Sequence, residues 1–515
     1  MVTSLAQLLD DAAAAAPDHV FLRTDSGTRT YTELADRSHR VASGLRGLGL
    51  QRGDRVAVAA PNGIEWLEFF FGAMRLGLVV VTLNVRYRET ELDYMLNQSQ
   101  ARLLLTAERA GDFDFRAFYE TFRPRVPALE HIRYLDGGSA ADTFETLVAA
   151  QPYLEDDGPE ADSPAVILYT SGTTGLPKGA VLTHGSILAS AAAQVDRAGT
   201  RPDDVLLGVM PLNHVGGLTC TVTAAMLGRS TVVMPAVFSP AGAIQAIRDE
   251  RVTLFAGVPT MWSLILGHPS FPGLDTSAVR LAIVGGSNAE PALCAAIAAG
   301  FPAARLSNLY GLSESSGAVV LSAVDDGPDV VARTMGTPLT GVEIRVVGSD
   351  GSPVGDGQDG ELQIRGSQVA AGYWQMPDQT AETFLPGGWL ATGDVVSVDP
   401  TGHLVLRGRR KEMYLQGGYN VYPVEVENVL TQFPGVAMAA GIGVPDPVLG
   451  EVGRYYVVPG EPGSGLDLDA LTAFCRERLA DYKVPRQIIV VPELPMTASG
   501  KIAKAVLRDQ ASEGH

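Results

Sequence analysis

The stretch Tyr169-Thr-Ser-Gly-Thr-Thr-Gly-Leu-Pro-Lys-Gly-Ala180 constrains this chain more than any other. It follows an apolar run, Ala165-Val-Ile-Leu168, that reads as a buried strand. Three glycines, three threonines, a serine and a lysine crowd into the stretch. Glycine lets the backbone turn its N–H groups inward with no Cβ in the way, and Gly172 and Gly175 supply that freedom. Thr170, Ser171, Thr173 and Thr174 add neutral donors, and Lys178 adds a positive charge. Together these are the parts of a phosphate cradle at the end of a strand. The spacing is not that of the G-x-x-x-x-G-K loop, which needs Ser or Thr directly after the lysine, because Gly179 follows Lys178. Taken alone, a tract of this composition reads equally well as a surface turn.

The chain has 515 residues, too many for one ordinary core, so two or more domains are expected. A hydrophobic fraction of 46% can fill several cores, and a charged fraction of 19% argues against wholesale disorder. The net charge of −19 makes nucleic acid a poor partner, since a phosphate backbone demands a basic face. Cys220, Cys294 and Cys475 are far apart, in apolar or helical settings, and read as small buried hydrophobes. The start, Met1-Val-Thr-Ser-Leu-Ala, has no signal-peptide pattern. The apolar run from Phe69 to Leu83 is broken by Arg75 and is too short to span a bilayer, so a cytoplasmic protein with no membrane span is expected.

Helix and strand patterns alternate from the start. Residues 4–17, 31–48 and 65–76 have helical spacing, and 55–59 and 79–83 read as strands, which points to layered α/β. Residues 154–164 form an acidic, turn-rich connector. From about 340 to 410 the period changes to two, as in Val342-Glu-Ile-Arg-Val-Val and Glu361-Leu-Gln-Ile-Arg, so an antiparallel β region is expected. The last hundred residues mix short helices and strands as a small α+β domain. Gly355-Asp-Gly-Gln-Asp-Gly360 matches G-x-G-x-x-G, but a strand follows it where a dinucleotide site needs a helix, so it reads as a turn.

Other short stretches carry chemistry in the same order along the chain. They are Pro211-Leu-Asn-His-Val-Gly-Gly217, Val284-Gly-Gly-Ser287, Asn308-Leu-Tyr-Gly-Leu-Ser-Glu314, Thr392-Gly-Asp394, Arg407-Gly-Arg-Arg-Lys-Glu412, Gln416-Gly-Gly418 and Leu494-Pro-Met-Thr-Ala-Ser-Gly-Lys501. With the Thr/Ser/Gly loop, they resemble the motifs of the adenylate-forming superfamily of acyl-CoA synthetases, luciferases and peptide-synthetase adenylation domains, in its acyl-CoA ligase branch. The resemblance covers roughly residues 20–508.

That resemblance implies a fold, an activity and a set of site residues. The fold would be α/β: a large N-terminal domain of layered α/β sheets plus a β-rich subdomain (1–410), and a small mobile C-terminal α+β domain (411–515) turning about a hinge at Lys411. The activity would be ATP-dependent activation of a carboxylic acid as an acyl-adenylate, followed by transfer to a thiol. ATP or AMP would be held by Thr170, Ser171, Gly172, Thr173, Thr174, Gly175, Lys178, Gly286, Ser287, Asn308, Leu309, Tyr310, Gly311, Ser313, Asp394, Arg409 and Lys501. Lys501, Thr174, Glu314 and His214 would be catalytic, with Glu314 binding Mg²⁺. Asn213, His214, Gly285, Gly286 and Leu309 would line the acyl pocket, and Gly417 and Gly418 the thiol tunnel. A carboxylate suits a ribose because it accepts two hydrogen bonds side by side, and one glutamate beside a triphosphate suits Mg²⁺.

The chain departs from the family pattern at four places. Ser313 stands where threonine is commoner but keeps the hydroxyl. Leu309 replaces a frequent glycine and should shorten the acyl pocket. Leu415 replaces a frequent lysine, and Asn420 a frequent glutamine, on the side that serves the second half-reaction. No Arg or Lys adjoins Tyr310, which disfavours a dicarboxylate. The expected substrate is a compact, uncharged or weakly polar acid, aryl or short-chain. The expected thiol is coenzyme A, in a monomer or homodimer. The alternatives are an acyl carrier protein's phosphopantetheine, a nitrogen acceptor, activation of nitrite, or an inactive protein that binds a nucleotide or acyl-adenylate.

Overall fold

The computed structural model describes residues 2–135, 141–153, 158–170, 176–287, 289–460, 465–497 and 501–513. Its first layer is a sheet whose strands run, in spatial order, Lys178–Thr183, Pro164–Thr170, Val79–Thr82, Arg55–Ala59, Leu103–Thr106 and His131–Tyr134. All pairings are parallel except the edge strand Lys178–Thr183. Val79–Thr82 and Leu103–Thr106 are buried on both faces, which is why they read as unbroken apolar runs. A second sheet of nine strands holds Leu254–Gly257, Leu281–Gly285 and Arg305–Leu312 side by side in parallel. The antiparallel Gly317–Leu321 then follows.

The largest core lies between these two sheets. Helices Leu5–Ala15, Tyr31–Gly47, Ile64–Arg75 and His184–Ala198 fill that space. Tyr31–Gly47 starts where Thr30 and Glu33 satisfy each other's backbone N–H groups, and it stops just before Gly49 at φ +79°. Ile64–Arg75 is buried on nearly every side, Glu68 and Arg75 included, and Trp66, Phe69, Phe70 and Phe71 are at most 1% exposed. Each of those rings contributes about 2–3 kcal/mol of burial. Further apolar clusters cover the outer faces of both sheets, giving a layered α/β/α/β/α body.

The β-rich part is a five-stranded antiparallel sheet, Glu343–Val347, Gly360–Arg365, Trp389–Val398, Phe384–Leu385 and Leu404–Arg409. Gly355–Gly360 lies in the turn that leads into strand Gly360–Arg365, as its sequence implied. A last sheet, built on the long hairpin Val436–Asp446/Gly450–Pro459, carries helices Pro423–Leu430, Leu468–Arg476 and Lys504–Glu513. The architecture is thus mixed α/β with a strand-rich C-terminal region. The three cysteines are buried free thiols. Among the described residues no helix is long and apolar enough to cross a membrane.

Candidate active site

Strand Pro164–Thr170 delivers the Thr/Ser/Gly loop and Lys178–Thr183 carries the chain back, Lys178 facing Thr170 in antiparallel register. The chain thus returns as an antiparallel strand, where a P-loop would be followed by a helix. Ser171, Gly172, Thr173, Thr174 and Gly175 lie outside the described residues. At the rim, the Thr170 hydroxyl donates to the Lys178 carbonyl at 3.4 Å. The strand below is braced by Tyr169, whose hydroxyl donates to Gln98 Oε1 at 2.5 Å and to the Met95 carbonyl at 3.2 Å.

The second sheet supplies the opposite wall. Gly285 ends a strand against Leu309, and a Cβ there would stand 2.5 Å from the Leu309 carbonyl oxygen. Gly286 turns the chain at φ +80°, with Ser287 exposed after it. Asn308 is tied into the fold: its amide donates to the Thr334 carbonyl at 3.0 Å and its backbone N–H to Ser322 Oγ at 2.8 Å. Tyr310 and Gly311 continue the strand, and Ser313–Ser315 make the single 3₁₀ turn that presents Glu314.

The centre is an ionic cluster. The Tyr310 hydroxyl donates to Asp394 Oδ2 at 2.6 Å, and Arg409 Nε lies 3.0 Å from Asp394 Oδ1. Asp394 and Arg409 are facing residues of neighbouring strands, so sheet register sets their pairing. The Asp394 side chain is 4% exposed and that of Arg409 is 49% exposed, so the carboxylate is anchored while the guanidinium stays open to a ligand. Each carboxylate oxygen keeps a second lone pair for a diol. Burial raises the Asp394 carboxyl above its usual range, against the pull of Arg409 and the Tyr310 hydrogen bond.

Lys501 reaches this cluster from the C-terminal region. Burial and the Arg409 charge lower its ammonium pKa, while Asp394 and Glu314 oppose that shift. His214 lies close enough to Lys501 to feel its charge. Burial first, and the Lys501 charge second, hold its imidazole at about 4, so the ring is neutral near pH 7. Its Nδ1 accepts the Gly216 N–H at 3.0 Å, which caps the short helix Val215–Gly217 and leaves Asn213 just before it. Asn62 fixes this segment by accepting the Leu212 N–H at 2.9 Å and donating to the Met210 carbonyl at 3.0 Å.

The structure thus gathers Tyr310, Asp394, Arg409, Glu314, Lys501 and His214. Gly417 and Gly418 lie on the last sheet. These occupy a two-residue hairpin turn between Tyr414–Gln416 and Tyr419–Val421, with φ of +60° and +86°, and the Gly417 N–H donates to the Leu449 carbonyl at 2.9 Å. Lys411 is exposed on the turn that leaves strand Leu404–Arg409.

Tyr373 is a site residue that sequence reasoning missed. Its hydroxyl donates to Glu314 Oε1 at 2.7 Å, and Lys178 Nζ stands 5.0 Å from its ring centroid. Segment 370–374 bonds to both walls. Ala371 and Trp374 donate to the carbonyls of Val181 and Gly179, and Ala370 donates to the Glu314 carbonyl. Nothing in the periodicity of Gly372-Tyr373-Trp374 marks it.

Residues 9–374 match the AMP-binding enzyme family, and residues 425–501 match the AMP-binding enzyme C-terminal domain. The chain belongs to this adenylate-forming superfamily, in its acyl-CoA ligase branch. It is 38% identical over 500 residues to a feruloyl-CoA synthase of Amycolatopsis, covering 96% of each chain. It is 36% identical over 497 residues to a methyl-dioxo-octahydroindenyl-propanoyl:CoA ligase of Rhodococcus jostii, covering 93% of each. The anthranilate CoA ligase AuaEII, solved with anthranoyl-AMP, superposes with a TM-score of 0.92 at 27% identity, covering 99% of this chain and 98% of that one. The protein is an AMP-forming acyl-CoA synthetase: it activates a carboxylic acid with ATP and forms the CoA thioester.

Proposed function

We propose that this enzyme activates a compact, uncharged or weakly polar acid, aryl or short-chain, at the Tyr310–Asp394–Arg409–Lys501 cluster. The observation that carries this reading is the convergence of Lys501, from the C-terminal region, on Arg409, Asp394 and Glu314 of the large body. Such a convergence is what joining two anions requires, since fixed cations must offset their repulsion and the charge gathered in the transition state. Lys501 and Arg409 serve the carboxylate and α-phosphate oxygens, and Asp394 accepts from the ribose. The loop Thr170–Gly175 and Lys178 cradle the remaining phosphates. No general base is needed, because a carboxylate is already nucleophilic.

Glu314 fits Mg²⁺ by the chemistry of its donors, as a single hard carboxylate held in place by Tyr373 and facing a site for phosphate oxygens. When bound, the ion neutralises phosphate charge. Neutral His214, Asn213, Gly285, Gly286 and Leu309 form the acyl wall, and Leu309 limits its depth. The acyl acids in the names of the relatives, ferulate and anthranilate, agree with an aryl substrate. For the second half-reaction Lys501 withdraws as residues 411–515 turn about Lys411 against residues 1–410, and Gly417 and Gly418 swing in to line a thiol path.

The test is pyrophosphate release from Mg·ATP across a panel of aryl, short-chain, long-chain and dicarboxylic acids, with nitrite included, each with and without CoA. The expected result is release with a small aryl or short-chain acid and formation of its acyl-CoA. Release confined to long-chain or dicarboxylic acids contradicts the substrate reading. Release without acyl-CoA would assign a carrier protein or a nitrogen nucleophile as acceptor.

A further inference from the structure

The Lys501 turn has a short stem. Met496 pairs with Ile502, the Ala503 N–H donates to the Pro495 carbonyl at 2.7 Å, and the Thr497 N–H donates to the Lys501 carbonyl at 2.7 Å. A stem this small cannot by itself hold a flexible lysine in one place. Directly after it, Lys504 opens the last helix, and its side chain runs into a buried acidic pair. Lys504 Nζ lies 2.9 Å from Glu412 Oε2 and 2.8 Å from Glu427 Oε1, with the three side chains 13%, 22% and 11% exposed. Glu427 belongs to helix Pro423–Leu430 and also accepts the Gly441 N–H at 2.7 Å, so it is fixed to the long hairpin. Glu412 belongs to the turn that holds Lys411, its N–H donating to the Arg409 carbonyl at 3.0 Å.

We propose that Lys504 is a positioning residue that locks the Lys501 turn to the hinge turn through Glu412 and to the body of the C-terminal region through Glu427. The inference rests on the reading of Lys501 as the adenylation lysine. Two carboxylates meet one ammonium, and the positive charges of Arg409 and Arg508 also act on Glu412. Burial works to raise the Glu412 carboxyl, but Lys504, Arg409 and Arg508 outweigh it and hold it ionised. The Lys504–Glu412 and Arg409–Asp394 ion pairs are thus joined through the backbone of the hinge turn, where the Glu412 N–H donates to the Arg409 carbonyl. When the C-terminal region turns, Lys504 makes the arm move with the hinge as one piece. Without it the stem remains but the arm splays, and a shift of about 1 Å at a reacting group costs on the order of 100-fold in rate.

The test separates the half-reactions. ATP–pyrophosphate exchange reports adenylation, and acyl-CoA formation from a synthetic acyl-adenylate reports the second step, both with the best acid of the panel. For Lys504→Met, exchange is expected to fall about 30–100-fold while the second step stays within about threefold. Lys504→Arg, which keeps the charge, should recover most of the exchange. Should Lys504→Met not fold, Glu412→Gln, which leaves the Glu427 pairing intact, is judged by the same split. Equal losses in both half-reactions with a lowered melting point would make Lys504 a fold anchor and overturn the inference, as would unchanged exchange. Lys501→Ala runs beside them. If that variant adenylates normally, the site reading itself fails; if it is crippled while Lys504→Met is normal, only the present inference fails.

Discussion

A buried carboxylate is costly unless every lone pair and its charge are answered. Asp394 meets the charge with one cation from the neighbouring strand and gives one oxygen to a phenol, which leaves a lone pair on each oxygen for a ligand. Glu314 is handled differently: the hydroxyl of Tyr373, a neutral donor, holds its Oε1 and so orients the carboxylate. Tyr373→Phe removes only that donor. A hydrogen bond to a charged group is worth about 1.5–3 kcal/mol, so use of Mg²⁺ weaker by roughly 10- to 100-fold is expected. Pyrophosphate release titrated against Mg²⁺ reads this directly, and an unchanged half-saturating concentration would remove Tyr373 from the site. Residues inside the motifs, such as Asp394 and Arg409, were legible because their neighbours name them. Tyr373, Asn62 and Lys504 were not, since each acts through partners far away in sequence and nothing local marks that.

At the scale of elements, strand Arg305–Leu312 is the hinge of the site's geometry, because it carries Asn308, Leu309, Tyr310 and Gly311 between two neighbouring strands. Gly311 is required by space: a Cβ there would lie 2.1 Å from the Gly317 carbonyl oxygen, which the paired backbone cannot escape by a side-chain move. Gly311→Ala should therefore force the pair apart, lower stability by about 1–3 kcal/mol and displace Tyr310 from Asp394. A lowered melting point with weaker ATP binding is the expected pair of results, and a variant that melts and binds as the parent does would contradict the packing. Much of this level was readable in the sequence. Helices at 31–48 and 65–76, strands at 55–59 and 79–83, and the period-two region after 340 all lie where their apolar spacing put them, within a residue or two. The return strand Lys178–Thr183 was not readable. Its tertiary register against Pro164–Thr170, and not its own pattern, makes it a strand. The π-helical turn over Leu218–Thr223 was equally hidden, since an apolar helical run looks the same at either pitch.

Across the whole molecule, the same burial that builds the site sets its response to acid. His184 is fully buried at the start of helix His184–Ala198, with Nδ1 accepting the Leu5 N–H at 3.2 Å. Burial, then the Arg52 charge, lowers its pKa from 6.5 to about 4. Between those values the unfolded chain takes up a proton that the folded chain refuses, so this contribution is complete above about pH 6.5 and is lost as the pH falls toward 4. His184→Asn keeps an acceptor for Leu5 and removes the titration. The melting point of that variant should fall less steeply than the parent's over this range, by the equivalent of on the order of 1–3 kcal/mol; parallel acid limbs would refute the assignment. In the proposed mechanism Lys501 completes the adenylation site from the C-terminal region. The most direct measurement is ATP–pyrophosphate exchange of Lys501→Ala, set beside its acyl-CoA formation from a preformed acyl-adenylate. Exchange is expected to fall by about 100-fold or more, as for loss of a charge-stabilising group in the transition state, while thioester formation stays near the parent rate. Exchange at the parent rate would show that the ionic cluster around Asp394 and Arg409 adenylates without Lys501, and the claim would fall.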